Sequence, residues 1–192
     1  MALKKYNLPD IVEGVLFDID NTLYENRDYN QHQIKGLLDR LADELGRDRA
    51  EVAREVEHRR TEHASASGGR RPSLGTSFEA FDGIPIEVSV RWREELIHPE
   101  SYLVGDPELR KEIELVSRRA ALCAVTNNPR RVGERTLDAL EIGDLIPVVS
   151  GLDTAGVSKP DPRPFEIALE FLSLPPASLV AVGDRFEIDL EP

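Results

Sequence analysis

Four short apolar runs constrain this chain more than any other feature: Val12–Phe17, Ala120–Val125, Ile146–Val149 and Leu179–Val182. Each is rich in Val, Leu, Ile and Ala with little polar alternation. That is the pattern of parallel strands covered on both faces. Helical patterns lie between the later runs. "NNPRRVGERTLDALEIG" offers Pro129 as a first helical residue after an Asn cap and Gly143 as a stop. "DPRPFEIALEFLSL" carries Phe165, Ala168, Leu169 and Leu172 at helical spacing. Asp106 is placed to cap "PELRKEIELVSRR". Strand and helix in alternation predict an α/β fold, a Rossmann-like doubly wound parallel sheet.

The segment from Glu25 to Leu96 differs. "QHQIKGLLDRLADELG" sets Ile34, Leu37, Leu38, Leu41 and Leu45 on one stripe and ends at Gly46. "DRAEVAREVEHRRTEH" opens with Asp48 and Glu51, spaced as a capping box. "ASASGGRRPSLGTS" is too polar and too rich in Gly and Ser to be an element and reads as a loop. "IEVSVRWREELI" reads as one more helix, against its β-branched residues. The expected organisation is a core of residues 1–24 and 97–192 and a small helical cap, residues 25–96, inserted after the first strand.

A chain of 192 residues buries one good core with room for such a module. The formal net charge of −12 argues against a nucleic-acid or acidic-membrane partner. The single cysteine, Cys123, sits in an apolar run and reads as a small buried hydrophobe. No apolar run approaches a membrane span, and "MALKKYNLPD" leads into no apolar signal segment. The expected location is cytoplasmic. Nothing in the sequence speaks to oligomeric state.

Each apolar run is followed by an unusual polar group. After the first come Asp18, Asp20 and Thr22, two residues apart, so extended geometry turns all three the same way. Two acids so close repel unless a cation or a shared proton relieves them. After the second come Thr126 and Asn127; after the third, beyond a loop, Lys159; after the fourth, Asp184 and Asp189. Open α/β sheets bind ligands outside the carboxyl ends of their strands, so these groups converge on one crevice. Hard carboxylate oxygens suit Mg²⁺. A carboxylate beside the metal can attack phosphorus and form an acyl phosphate. Lys159, the Thr126 hydroxyl and backbone amides can stabilise the transferring phosphoryl group. A second carboxylate can serve as general acid and then base. On this reading Asp18 is the nucleophile and a metal ligand, and Asp20 moves the proton.

"FDIDNTLY", "VTNN", "SKP" and "VGDRFEID" resemble, in order, the four motifs of the haloacid dehalogenase superfamily. The match spans nearly the whole chain, with the insert where that superfamily's first cap type lies. The resemblance implies Asp18 as nucleophile, Asp20 as acid/base with its backbone carbonyl on the metal, and Thr126 and Lys159 on phosphate. Asn127 is a further phosphate-binding candidate. Asp184 would hold Mg²⁺, directly or through water, and Asp189 would support the site. Superfamily dehalogenases lack an acid at the position of Asp20, so its presence favours phosphate esters of a small phosphorylated metabolite. "DNTLY" is similar to pyrimidine 5′-nucleotidase-like members, which points to a nucleoside monophosphate. A sugar phosphomutase or phosphotransferase, or a catalytically silent binding protein of the same fold, are the alternatives. Superfamily members continue past the fourth motif with a helix, another strand and more, whereas this sequence stops at Pro192. Either a tail lies beyond it or the chain is truncated there, and a missing strand would leave an exposed sheet edge.

The remaining candidates read as structural. Arg70 and Arg71 suit a solvated loop better than a substrate anion, and Trp92 suits the cap interior. The four histidines are scattered, with no zinc-site spacing. Neither a GxxxxGK[ST] loop nor a GxGxxG fingerprint is present.

Overall fold

The computed structural model describes residues 4–69 and 71–191. The chain begins with β1 (Gly14–Phe17), followed by α1 (Arg27–Leu45), α2 (Arg49–Ala66), α3 (Leu74–Asp82) and α4 (Ile86–Leu96). It continues through α5 (Pro107–Ser117), β2 (Ala121–Val125), α6 (Arg130–Ala139), β3 (Val148–Ser150) and α7 (Leu152–Ala155). It closes with α8 (Arg163–Leu172), β4 (Leu179–Val182) and a single wide helical turn over Phe186–Leu190. Among the described residues no helix is long and apolar enough to cross a membrane.

The strands form one parallel sheet in the order β3-β2-β1-β4. β1 pairs β2 from Gly14 opposite Ala121 to Phe17 opposite Ala124, and β4 from Gly14 opposite Leu179 to Phe17 opposite Val182. Side chains alternate between two cores, as the period of a strand requires. Val15, Phe17, Leu122 and Ala124 pack with Ile113 of α5 and with Val132 and Leu137 of α6. Leu16, Cys123 and Val125 pack with Phe165, Ala168 and Leu172 of α8. Helices on both faces explain why the strands carry almost no polar alternation, and the expected α/β fold is the one observed. β4 lies at the sheet edge and is half-buried along its length.

Boundaries differ in instructive places. The first strand begins at Gly14, not Val12, because Ile11 and Val12 are exposed. A Cβ at Gly14 would lie 2.3 Å from a Leu179 methyl, so a larger residue there would have to displace that side chain. The third strand starts at Val148, since Pro147 has no N–H to give a ladder; Ile146 is buried before it. Pro129 is the N-cap of α6, not its first residue, and the helix ends well before Gly143.

Residues 25–96 carry four helices, α1 to α4, joined by short loops. α1 stops at Gly46, whose φ of 63° is left-handed. Asp48 caps α2 by accepting from the Glu51 N–H. Asp106 likewise caps α5, accepting from the N–H groups of Glu108 and Leu109. The stretch expected to be a loop is only partly one. α2 runs on to Ala66, and α3 starts at Leu74 behind the cap of Ser73. Leu37, Leu41, Val52, Val56, Leu74, Phe78 and Trp92 make a hydrophobic cluster of their own. Trp92 is therefore interior, whereas Ile34 of the expected stripe faces solvent.

Candidate active site

Asp18 follows β1 directly, and its N–H still donates to the Val182 carbonyl at 2.8 Å. The carboxylate is thus held between the ends of β1 and β4. Its Oδ1 accepts from Lys159 Nζ at 2.6 Å, and its Oδ2 from Thr22 Oγ1 at 2.9 Å. Lys159 Nζ donates equally to Asp189 Oδ1 at 2.6 Å. Asp18, Lys159 and Asp189 are all buried. Lys159 is also held by its backbone: its N–H donates to Asn127 Oδ1 at 2.7 Å, and Asn127 Nδ2 donates to its carbonyl at 3.3 Å. Ser158, one residue earlier, shares a 2.6 Å hydroxyl hydrogen bond with Thr76 of α3.

Asp18, Asp184 and Asp189 each offer an oxygen within 4.8 Å of the others. Asp184 Oδ1 is buried without a hydrogen bond of proper geometry, although the half-exposed Arg185 has its Nε 3.4 Å away. Three acids against the one buried ammonium of Lys159 leave the pocket short of positive charge. The electrostatics reflect this. Burial, opposed by Lys159 and reinforced by Asp189 and Asp20, pushes the Asp18 carboxyl up to about 6. Burial also raises the Asp184 carboxyl. Hard oxygens with an orphaned acceptor and excess negative charge fit a divalent cation such as Mg²⁺.

Asp20 stands apart from this cluster. Its Oδ1 accepts from Tyr24 Oη at 2.5 Å and from Gln33 Nε2 at 3.4 Å, and its Oδ2 from Asn128 Nδ2 at 3.1 Å. Burial and the Asp20 charge drive the Tyr24 phenol upward, so it remains a neutral donor. Asn128 also donates to Gln33 Oε1 at 3.2 Å, which ties α1 of the insert to the end of β2. Thr126 is buried, and its Oγ1 accepts from the Asn128 N–H at 3.1 Å. A hydroxyl that accepts can still donate its proton to a ligand.

The haloacid dehalogenase-like hydrolase family matches residues 12–192. The chain belongs to that family. Two curated relatives are similar. One is the N-acetylmuramic acid 6-phosphate phosphatase of Pseudomonas putida, 30% identical over 62% of this chain and 55% of that protein. The other is the phosphoglycolate phosphatase of Aquifex aeolicus, 32% identical over 50% of this chain and 45% of that protein. The chain spans about half the length of the curated relatives it matches. Among solved structures, the HAD phosphatase from Thermococcus onnurineus superposes with a TM-score of 0.62. It is 25% identical, covering 93% of this chain and 80% of that one.

In this haloacid dehalogenase-like chain, Asp18, Asp184, Asp189 and Lys159 come together, while Thr126 and Asp20 are joined through Asn128 beside them. Asp189, indistinguishable in sequence from an exposed helical acid, is buried against Lys159. Gly183 permits this: a Cβ there would lie 2.3 Å from the Asp189 Cβ. The two asparagines divide their work, with Asn127 gripping the Lys159 backbone and Asn128 reaching Asp20. Tyr24 and Asn128 fall inside the quoted motifs, but the resemblance assigns neither a role in the site, and Gln33, on α1, carries no sequence signal at all. Arg71 pairs with Glu57 inside the insert, and Arg70 lies outside the described residues. Cys123 is buried with its thiol pushed up to about 12 by burial, so it is no nucleophile.

Proposed function

We propose that this protein is a Mg²⁺-dependent phosphomonoesterase acting through an aspartyl-phosphate on a small phosphorylated metabolite. The observation that carries this reading is the buried Asp18 carboxylate, gripped by Lys159 and Thr22 among uncompensated acids, with Asp20 set to one side. Asp18 attacks phosphorus and the ester P–O bond breaks. Asp20 gives its proton to the departing oxygen, then takes one from the water that hydrolyses the acyl phosphate. Lys159 and the Thr126 hydroxyl hold the phosphoryl oxygens, and Asn127 acts by fixing Lys159. Asp189 and Thr22 support Lys159 and Asp18. Asp18, the Asp20 backbone carbonyl and Asp184 would hold Mg²⁺, which when bound would offset negative charge on the phosphoryl oxygens.

Residues 25–96 act as a cap that closes over the crevice and selects the leaving group. Gln33 on Asp20 and Thr76 on Ser158 are contacts such a cap would make and break. Two substrate classes have support. "DNTLY" favours a nucleoside monophosphate; both curated relatives are named for phosphate esters of carboxylic acids. The expectation of a cytoplasmic location rests on the single buried cysteine. Release of phosphate from p-nitrophenyl phosphate, with Mg²⁺, with EDTA and with Asp18→Asn, tests the reading. Metal-dependent release abolished by the substitution supports it. Release that survives Asp18→Asn overturns it.

A further inference from the structure

Arg93 of α4 is only 3% exposed. Its Nη1 donates to the Ser89 carbonyl at 3.3 Å and to the Ser89 hydroxyl, both neutral. Among the described residues no carboxylate lies within ion-pair distance of it. A guanidinium has five N–H donors in a fixed fork, and Ser89 engages one nitrogen. Burial lowers the Arg93 guanidinium to about 10, with the Asp20 charge opposing the shift. It therefore stays charged at neutral pH. A buried cation without a counter-charge is costly, so the position calls for an anion that the protein does not supply.

The surroundings say where that anion comes from. A Cβ built on Gly75 of α3 would lie 3.6 Å from Arg93 Nη1 and 3.3 Å from the Leu152 side chain of α7. The guanidinium thus stands where α3 and α4 of the insert meet α7 of the core. The acid whose charge acts on it is Asp20. Leu152 donates its N–H to the Asn128 carbonyl at 2.9 Å, and Asn128 Nδ2 donates to Asp20 Oδ2 at 3.1 Å. These contacts lead from the guanidinium to Asp20, the residue that under the proposed function serves the leaving group. A carboxylate matches the guanidinium fork with two parallel hydrogen bonds.

We propose that Arg93 is the specificity-determining cation of this site, and that the substrate is a phosphate monoester whose leaving group carries a carboxylate. This rests on the phosphomonoesterase reading above. The test compares phosphoglycolate with propyl phosphate, which are similar in size and differ in the carboxylate, on the wild type, Arg93→Gln and Arg93→Lys. The wild type should favour phosphoglycolate in kcat/KM by at least about tenfold. Arg93→Gln should erase that ratio, mainly through KM, and Arg93→Lys should keep part of it. A wild type without preference, a preference that survives Arg93→Gln, or an equal fall on both esters overturns the proposal.

If Arg93→Gln does not fold, the wild type still decides. Glycolate should inhibit propyl phosphate hydrolysis competitively and propanol should not; equal indifference to both overturns the proposal. If no ester is hydrolysed, the phosphomonoesterase reading fails. A larger thermal shift with phosphoglycolate than with propyl phosphate would then still support the role of Arg93, and equal shifts would refute it.

Discussion

Lys159 lies 141 residues beyond Asp18 in the chain, yet its ammonium is 2.6 Å from the Asp18 carboxylate. It stands equally close to Asp189, so one cation serves two buried acids. This sharing governs both the expected chemistry and the stability of the site.

Asp18→Asn should abolish phosphate release and yet stabilise the metal-free protein at neutral pH. The Asp18 carboxyl is raised from 3.8 to about 6. The folded state therefore binds that proton more tightly than the unfolded chain does. Its stabilising effect is complete below about pH 4 and lost as pH rises through 6, a change of about 3 kcal/mol. Denaturant unfolding in EDTA from pH 4 to 7.5 should show this slope in the wild type and lose it in Asp18→Asn.

Lys159→Met should do the reverse. Removing the ammonium leaves Asp18 and Asp189 buried without a counter-charge, a loss of about 3–5 kcal/mol. Lowering the pH should restore much of it, because the acids then protonate. Urea unfolding at pH 5 and pH 7.5 reads the difference directly.

Asp20→Asn separates proton transfer from nucleophilic attack. Alkyl phosphates, whose alkoxide leaves poorly, should slow by roughly 10²–10⁴-fold. Aryl phosphates, whose phenolate leaves without help, should slow far less. Equal losses on both would remove Asp20 from the role of general acid.

Mg²⁺ should raise the melting temperature, and EDTA should reverse it. At a concentration 100 times the dissociation constant the gain is about 2.7 kcal/mol. Asp184→Ala should lose this shift, since it deletes the buried oxygen that has no hydrogen bond. The measurement is a thermal melt and needs no turnover.

The sheet is legible in the sequence because its strands are covered on both faces, which leaves unbroken apolar runs. Leu179–Val182 coincides with β4 residue for residue. The third run slips because Pro147 interrupts an apolar stretch that only burial, not pairing, explains. α3 is hidden by its Gly- and Ser-rich approach; its inward residues Leu74 and Phe78 are too few to show a period. The motif acids are legible by their resemblance to known motifs, but the expected extended run of Asp18, Asp20 and Thr22 is not observed. β1 ends at Phe17, Asn21 at φ 64° turns the chain, and Thr22 returns to Asp18 while Asp20 points to Tyr24 and Asn128. Asn127 and Asn128 are adjacent, so only the turn between them decides which faces Lys159 and which faces Asp20. Gln33 and Arg93 come from helices of the insert, and their register against the core depends on packing that no local pattern records.

The 2.6 Å bond between Thr76 and Ser158 crosses from the insert to the residue beside Lys159. Separating the two segments must break it, one residue from the lysine that Asp18 and Asp189 share. Exchanging residues 25–96 for those of a relative would have to keep a hydroxyl at position 76 or leave the Ser158 hydroxyl without this partner. If that segment selects the leaving group as proposed, a swap would alter ligand choice and this contact together.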